Sequence, residues 1–336
     1  MIWPTGYELT RLHIRLTFAY DPTYVRFRRR FAAKNVFVTF LKVGREVAMP
    51  RVNVFPNRCV TLSSSMNWAE PRSWVSHISQ FLRPRLRQHA IESWQSRENR
   101  ADLCCDDSEW KTMLVEQLDE EYDITADALS RAFEDVRMRA YHGCRPTDPA
   151  AYTQVGIRVA NWNDRMRALT VTLDELRLSR AERDEILAKA QGRREAPDID
   201  IGKIFLAIDE RHLIKNCGHY LLLGSEWQAA RLGNSHYQAL RQRGVPTSFH
   251  IDFPLSWISD SARLELAEQV LAEWVRLKTL ALSETKKLDF TFTLRRNIPA
   301  NLIVGHIHPE AITDYHTGGT VRRYARATCA LCSPRL

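Results

Sequence analysis

Short segments in which apolar and polar residues alternate constrain the fold of this chain most. SFHIDFPL (248–255) and DFTFTL (289–294) have the two-residue period of strands that bury one face, and KIFLAID (203–209) reads as a short apolar strand. Between the first two, residues 261–282 place apolar side chains at helical spacing. Because strands and helices mix without the strict alternation of a doubly wound sheet, the pattern predicts an α+β fold.

The composition predicts two domains joined by a helical segment. Residues 1–95 combine β-rich runs with one helical pattern, and the chain then becomes polar and aperiodic, as in a loop. We therefore expect a basic β-rich N-terminal domain with a helix at 1–95, a helical linker at 96–134 and a mixed-sheet domain at 135–336.

A helical insertion is predicted at 170–192 within the mixed-sheet domain. Thr172 with Glu175, and Ser179 with Glu182, have the spacing of capping boxes that begin helices. Gly192 fits a Schellman-type end to the second helix.

The positive charge of the chain is concentrated near its start. Residues 1–60 hold 11 Lys or Arg against 3 acidic residues, so this segment accounts for the whole net charge of +8. Arg26, Arg28 and Arg30 alternate with other residues and would share one face of a strand. This surface predicts binding to nucleic acid through counterion release, or to an acidic protein surface through steering. A solvated arginine face is the alternative interpretation.

Several protein classes lack support in the sequence. No run of 18 apolar residues and no signal-peptide pattern occurs, so we expect a cytoplasmic protein without a membrane partner. The odd number of cysteines, 7, favours reduced thiols over a disulfide framework. P-loop, GxGxxG, HExxH and GxSxG motifs are missing, which weakens the NTPase, dehydrogenase, zincin and hydrolase interpretations.

Two distant segments have the pattern of a nucleotide site. In YHGCRPTDPAAYTQVGI (141–157), a predicted strand ends at His142-Gly143 and is followed by a short helix and Gly156-Ile157. A glycine next to a strand-end histidine lets a flat ligand approach the backbone. Arg145 is a candidate for bidentate binding of a pyrophosphate, with a surface arginine as the alternative.

The second segment, GHYLLLGSEW (218–227), places Tyr220 on a predicted strand and Ser225 at the start of a helix. Ser225 with Gln228 has capping-box spacing, and Gly233 would close the helix. Core packing and capping alone would also account for Tyr220 and Ser225.

Together the two segments resemble the ADP-ribosyltransferase-like fold of the diphtheria-toxin and poly(ADP-ribose) polymerase type, over about residues 135–310. That family has a His-Gly motif at the end of its first core strand, then a helix and a Gly-Leu or Gly-Ile, and later a Gly-x-Tyr pattern before a small residue. The resemblance implies that NAD is bound as substrate. His142 would bind the nicotinamide ribose, the Gly143 backbone the carboxamide, and the Tyr220 ring the nicotinamide.

The sequence departs from the family at the catalytic glutamate, whose place is taken by Asn301. Two other carboxylates are candidates for stabilising the oxocarbenium-like centre. Glu226 follows Ser225 in the first turn of a predicted helix, where the helix dipole favours its ionised form. Glu310 is the second candidate.

A metal site is not expected from the sequence. Cys329-x-x-Cys332 is half of a zinc site, and His306 with His308 is the nearest candidate for the other half. A lone CxxC without a second pair at ligand spacing is a weak signal, so bound zinc is disfavoured against free thiols in the tail.

Two functions follow as hypotheses. The first is NAD-dependent ADP-ribosyl transfer to a nucleic-acid or protein target, with catalytic residues His142, Tyr220 and Glu226, as in a toxin or a defence effector. The second is a non-enzymatic nucleic-acid-binding or assembly subunit that uses the basic N-terminal domain.

Overall fold

A computed structural model describes residues 65–96, 107–192, 201–324 and 329–332. These residues all belong to one compact unit, Cys59–Leu336. The predicted basic β-rich strands, and with them Arg26, Arg28 and Arg30, lie outside the described residues.

The described residues form a mixed helix and sheet structure, which confirms the α+β class. The helices are α1 Val75–Leu82, α2 Ala90–Ser96, α3 Asp107–Gln117, α4 Tyr122–Ala132, α5 Pro149–Val155, α6 Trp162–Glu175, α7 Arg180–Gln191, α8 Glu210–Asn216, α9 His219–Leu223, α10 Glu226–His236 and α11 Asp260–Leu280. The strands are β1 Arg137–Cys144, β2 Ile204–Ala207, β3 Thr247–Pro254, β4 Thr291–Leu294, β5 Ile303–Ile307, β6 Ala311–Asp314 and β7 Thr320–Arg323.

Five strands form one antiparallel sheet in the order β4-β2-β1-β3-β5, and β6 pairs with β7 as a separate hairpin. The three strand patterns of the sequence are β2, β3 and β4, and the helical pattern between the last two is α11. The two-residue period identified β3 and β4, and helical spacing identified α11. Strand β2 was recognised by its apolar run, and it contributes buried residues to both hydrophobic clusters.

Helices cover both faces of the sheet. Met138 and Ala140 of β1 belong to the hydrophobic cluster that contains α11, whereas Tyr141 belongs to a second cluster formed by helices α6–α10. Alternate residues of a strand point to opposite faces, so β1 lies between two apolar layers. The ends of β1 and β2 therefore lie next to both hydrophobic clusters, one on each face of the sheet.

Residues on both sides of the predicted boundary at 95/96 share one core. Trp94 of α2 contacts Trp274 of α11 edge to face, with ring centroids 6.0 Å apart. The Trp274 indole Nε1 donates a hydrogen bond to Ser79 Oγ of α1 at 3.0 Å. Helices α3 and α4, from the segment predicted as a linker, bury Trp110 and Leu129 in the same cluster.

The predicted helical insertion differs from the observed helices at its start. Helix α6 begins after Asn161, which forms a capping box with Asp164, so the predicted start at Thr172 is wrong. Thr172 lies inside the helix, where its hydroxyl donates to Ala168 O at 2.9 Å. Ser179 and Glu182 do form the predicted capping box of α7. Gly192 ends α7 with a right-handed φ of −61°, which is not the left-handed Schellman geometry.

Candidate functional site

A cleft lies where β1 and β2 separate. The two strands pair at one position, Tyr141↔Ala207, although β1 continues to Cys144. Beyond this pair a cleft of about 490 Å³ opens, which falls within the usual size range of small-molecule sites. Its lining includes His142, Gly143, Gly156, Ile157, Tyr220, Ser225 and Glu226. The two predicted segments thus meet at one site.

His142 is held as a neutral ring with a defined tautomer. Its Nδ1 lies 3.1 Å from Phe205 O of β2. A carbonyl oxygen only accepts hydrogen bonds, so Nδ1 carries the proton and Nε2 carries a lone pair. Burial lowers the pKa of His142 below its ordinary value, because the charged ring would be poorly solvated. The imidazole therefore offers the cleft a hydrogen-bond acceptor.

Tyr220 lies on the short helix α9, so its predicted position on a strand is wrong. The apolar run Leu221–Leu223 is buried in the second cluster, and a short apolar run cannot be assigned to a strand or a helix by period alone. The absence of a side chain at Gly143 lets Leu213 of α8 pack closely against β1. A Cβ on Gly143 would lie 3.4 Å from Tyr220 Cβ and 3.0 Å from Leu213 Cδ1.

Glu226 is positioned by the two residues that begin α9. Its Oε2 accepts a hydrogen bond from the Tyr220 hydroxyl at 3.2 Å, and its Oε1 lies 3.0 Å from His219 Nε2. The His219 hydrogen bond is the main reason that the pKa of Glu226 lies below its usual value, and the charge of His219 and the Tyr220 hydroxyl add to this effect. The side chain is 44% exposed and lines the cleft, so it is an ionised carboxylate accessible to a ligand.

The other candidate positions are placed differently. Ser225 lines the cleft and is the N-cap of α10; its Oγ accepts a hydrogen bond from Gln228 N at 3.3 Å, which leaves its O–H able to donate. Gly233 interrupts α10 with a φ of 68°. Asn301 lies exposed in the short 3₁₀ turn Ala300–Leu302 before β5, and neither it nor Glu310 lines the cleft.

Arg145 binds the protein backbone through its whole guanidinium group. Nε donates to Arg243 O at 2.6 Å, Nη1 donates to Leu221 O at 3.3 Å, and Nη2 donates to Arg241 O. These bonds hold all three guanidinium nitrogens against backbone carbonyls and join the end of β1 to the second layer. Arg145 does not line the cleft, so it does not present its guanidinium to a pyrophosphate bound there.

Three other cationic side chains line the cleft and were missed by the sequence analysis: Arg158, Arg165 and Lys203. Arg158 closely follows Gly156-Ile157, and Lys203 directly precedes β2. Their positions next to a motif and next to a strand end are the sequence features that could have identified them as lining residues. Trp227 also lines the cleft; it is 6% exposed, and its indole Nε1 has no hydrogen-bond partner.

Gly156 has a backbone conformation that only glycine adopts readily. Its φ is 79° and its ψ is −171°, and Ile157 pairs with Ile298 through two backbone hydrogen bonds of 2.8 Å. A Cβ at Gly156 would lie 2.1 Å from Ile298 O, which is a backbone atom that cannot turn away. The glycine thus allows the wall of the cleft to pair with the segment before β5.

We expect Gly156→Ala to lower the free energy of unfolding by about 2–3 kcal/mol, because it adds a steric clash to the backbone strain. Urea unfolding monitored by tryptophan fluorescence measures this loss. Gly233→Ala is the matched control, since Gly233 has nearly the same backbone angles (φ 68°, ψ −179°) but no atom within 4 Å of the added Cβ. Equal losses in the two variants would show that the clash with Ile298 is not the cause.

Potential metal ligands meet elsewhere in the structure. The ligand atoms of His306, His308, Cys329 and Cys332 all lie within 4.8 Å of one another. None of these four residues lines the cleft.

Comparison of the chain with protein-family models, with curated proteins and with solved structures gave no match. Within the described ranges, every helix is too short or too polar to cross a bilayer.

Proposed function

We propose that the cleft binds NAD and that the chain transfers ADP-ribose from it to an acceptor. One observation carries the proposal: His142-Gly143, Gly156-Ile157 and Tyr220, which lie far apart in the sequence, line a single cleft of about 490 Å³. This is the set of positions on which the resemblance to ADP-ribosyltransferases rests. The proposal assigns a contact with the dinucleotide to His142, Gly143 and Tyr220, whereas Gly156 and Ile157 form part of the wall of the cleft.

The nicotinamide riboside half would bind at the strand end. The Nε2 lone pair of His142 is suited to accept a hydrogen bond from a ribose hydroxyl, because Nδ1 already donates to Phe205 O. The Tyr220 ring provides an aromatic surface for the nicotinamide. The Gly143 backbone would meet the carboxamide, as the resemblance implies.

The pyrophosphate would bind to the cationic side of the cleft. Arg158, Arg165 and Lys203 line the cleft and supply the positive charge that Arg145 cannot. The unpartnered Nε1 of the buried Trp227 is a further hydrogen-bond donor at this site.

Glu226 would supply the carboxylate that the family carries near position 301. In the reaction, the bond between the ribose and the nicotinamide nitrogen breaks and nicotinamide leaves with the electron pair. The ribose becomes oxocarbenium-like, and an acceptor nucleophile forms the new bond at the same carbon and releases its proton to solvent. A fixed carboxylate stabilises this positive charge, and the hydrogen bonds from His219 and Tyr220 hold Glu226 in one orientation.

The proposal is tested by incubating the full chain with NAD labelled on the adenylate moiety, together with DNA, RNA or cell lysate. We expect nicotinamide release and a labelled product, and we expect His142→Ala to lower both rates by at least about tenfold through loss of the ribose hydrogen bond. His236→Ala, which removes an imidazole from the far end of α10, is the matched control. No nicotinamide release, or equal rates for the wild type and His142→Ala, would reject the proposal.

A further inference from the structure

The edge of the sheet carries a cluster of two histidines and two cysteines. His306 lies on the edge strand β5 and His308 directly follows that strand, while Cys329 and Cys332 come from the C-terminal segment. His306 Nε2 lies 3.0 Å from Cys332 Sγ and 3.3 Å from Cys329 Sγ, and the two sulfur atoms are 3.7 Å apart. Two chain segments thus bring together two thiol sulfurs and two imidazole nitrogens, which are ligand atoms that soft and borderline metal ions prefer.

The distance between the two sulfur atoms is close to an edge of a tetrahedron around zinc, and the two nitrogen–sulfur distances are about 0.2 and 0.5 Å shorter than such an edge. Zinc–sulfur bonds of about 2.3 Å at tetrahedral angles place two sulfur atoms about 3.8 Å apart. Zinc–nitrogen bonds of about 2.0–2.1 Å place a nitrogen about 3.5 Å from a sulfur. The observed 3.7 Å between the sulfur atoms matches the first value, and it is far longer than the roughly 2.05 Å of a disulfide.

The orientation of His308 is a second, independent observation. Its Nδ1 lies 3.0 Å from Pro246 O, so Nδ1 donates and Nε2 carries the lone pair. This Nε2 is buried and has no hydrogen-bond partner. A buried acceptor without a partner is costly, whereas a metal-binding histidine commonly donates its other nitrogen to a carbonyl. The ring is therefore arranged as a metal ligand.

We infer that His306, His308, Cys329 and Cys332 bind one Zn²⁺ ion in a structural site. Two thiolates and two imidazoles in tetrahedral positions are typical of zinc, and four protein ligands leave no open position for a substrate. On binding, each cysteine releases one proton to solvent, and the two thiolates balance the charge of the ion. The ion would join the C-terminal segment to β5.

The sequence alone disfavours zinc, because no second pair of cysteines or histidines stands at the spacing of common zinc motifs. The second pair is His306-x-His308, whose side chains share one side of an extended chain because they are two residues apart. The fold brings it to the CxxC. This inference is independent of the proposed NAD chemistry, since none of the four residues lines the cleft.

The test is the metal content of the purified full chain, measured by elemental mass spectrometry after exhaustive dialysis. We expect about one zinc per chain, and we expect the double variant Cys329→Ser/Cys332→Ser to lose at least about nine-tenths of it, because a site left with two imidazoles binds zinc weakly. Cys217→Ser is the matched control, since it removes a free thiol outside the cluster and should retain full zinc content.

A second measurement uses the wild-type chain and so does not depend on the folding of a variant. After removal of zinc by a chelator, titration with Co²⁺ should give the intense visible absorption of a tetrahedral site with thiolate ligands, saturating at one ion per chain. Zinc below about a tenth of an equivalent together with no cobalt–thiolate absorption would overturn the inference. An intact mass showing a Cys329–Cys332 disulfide in the freshly purified chain would overturn it as well.

Discussion

Glu226→Gln is expected to lower the rate of nicotinamide release by about 100- to 1,000-fold while leaving the affinity for NAD nearly unchanged. The substitution keeps the size of the side chain but removes the negative charge, and loss of one electrostatic group at a transition state commonly has an effect of this size. An amide oxygen also cannot accept from both Tyr220 and His219 in the geometry that the two carboxylate oxygens provide. The kcat for NAD cleavage and the Kd from calorimetric titration measure the two effects separately.

Two controls show whether position 226 is specific. Glu182→Gln makes the same change in the first turn of another helix, where glutamine also satisfies the capping box with Ser179. Glu310→Gln tests the other carboxylate suggested by the sequence, which does not line the cleft. Both variants should keep wild-type rates. A Glu226→Gln enzyme that releases nicotinamide within about threefold of the wild-type rate would contradict an electrostatic role, since that role requires a far larger loss.

Strands β3 and β4 could be predicted from the sequence because they bury alternate side chains. Phe249, Ile251 and Phe253 of β3 are all fully buried, and this alternation is visible in the letters. Strand order and register could not be predicted, because antiparallel pairing between β1 and β3 joins residues more than 100 positions apart. Local patterns contain no information on such a pairing.

The sequence was sufficient to predict which residues lie at the site, but not which hydrogen bonds and ion pairs they form. The sequence named His142 and Tyr220, and the structure places both at one cleft. It did not reveal that each nitrogen of the Arg145 guanidinium donates to a backbone carbonyl, because these carbonyls come from residues 76–98 positions away. The pairing of His219 with Glu226 was missed for a different reason, because it requires Tyr220 and His219 to lie on a short helix that leads into α10, and the sequence predicted a strand there.

The loss of one buried carboxylate is expected to have the largest effect on stability. Asp209 is fully buried between β2 and α8, and it caps α8 by accepting from Arg211 N at 2.9 Å. Its Oδ2 also accepts from Leu288 N at 3.0 Å and from Arg211 Nη2 at 2.7 Å. The carboxylate thus connects the end of β2, helix α8 and the segment that precedes β4.

We expect Asp209→Ala to lower the free energy of unfolding by about 3–5 kcal/mol. It leaves the buried Leu288 N–H without an acceptor, removes the N-cap of α8 and takes away the buried partner of the Arg211 guanidinium, whose side chain is 35% exposed. The loss of these three interactions together has a cost of this size. Urea unfolding curves, with the slope compared between variants, measure the change. Because α8 carries Leu213 against Gly143, NAD cleavage should fall in parallel if the proposed function is correct.

The matched control removes an aspartate of the same kind from the surface. Asp184 lies 3.8 Å from Arg180 on α7, and both side chains are largely exposed, so Asp184→Ala should change the free energy of unfolding by less than about 1 kcal/mol. The difference between the two variants isolates the effect of burial. A loss at Asp209 as small as that at Asp184 would mean that water replaces the carboxylate, and hence that the junction of β2 with α8 is open to solvent.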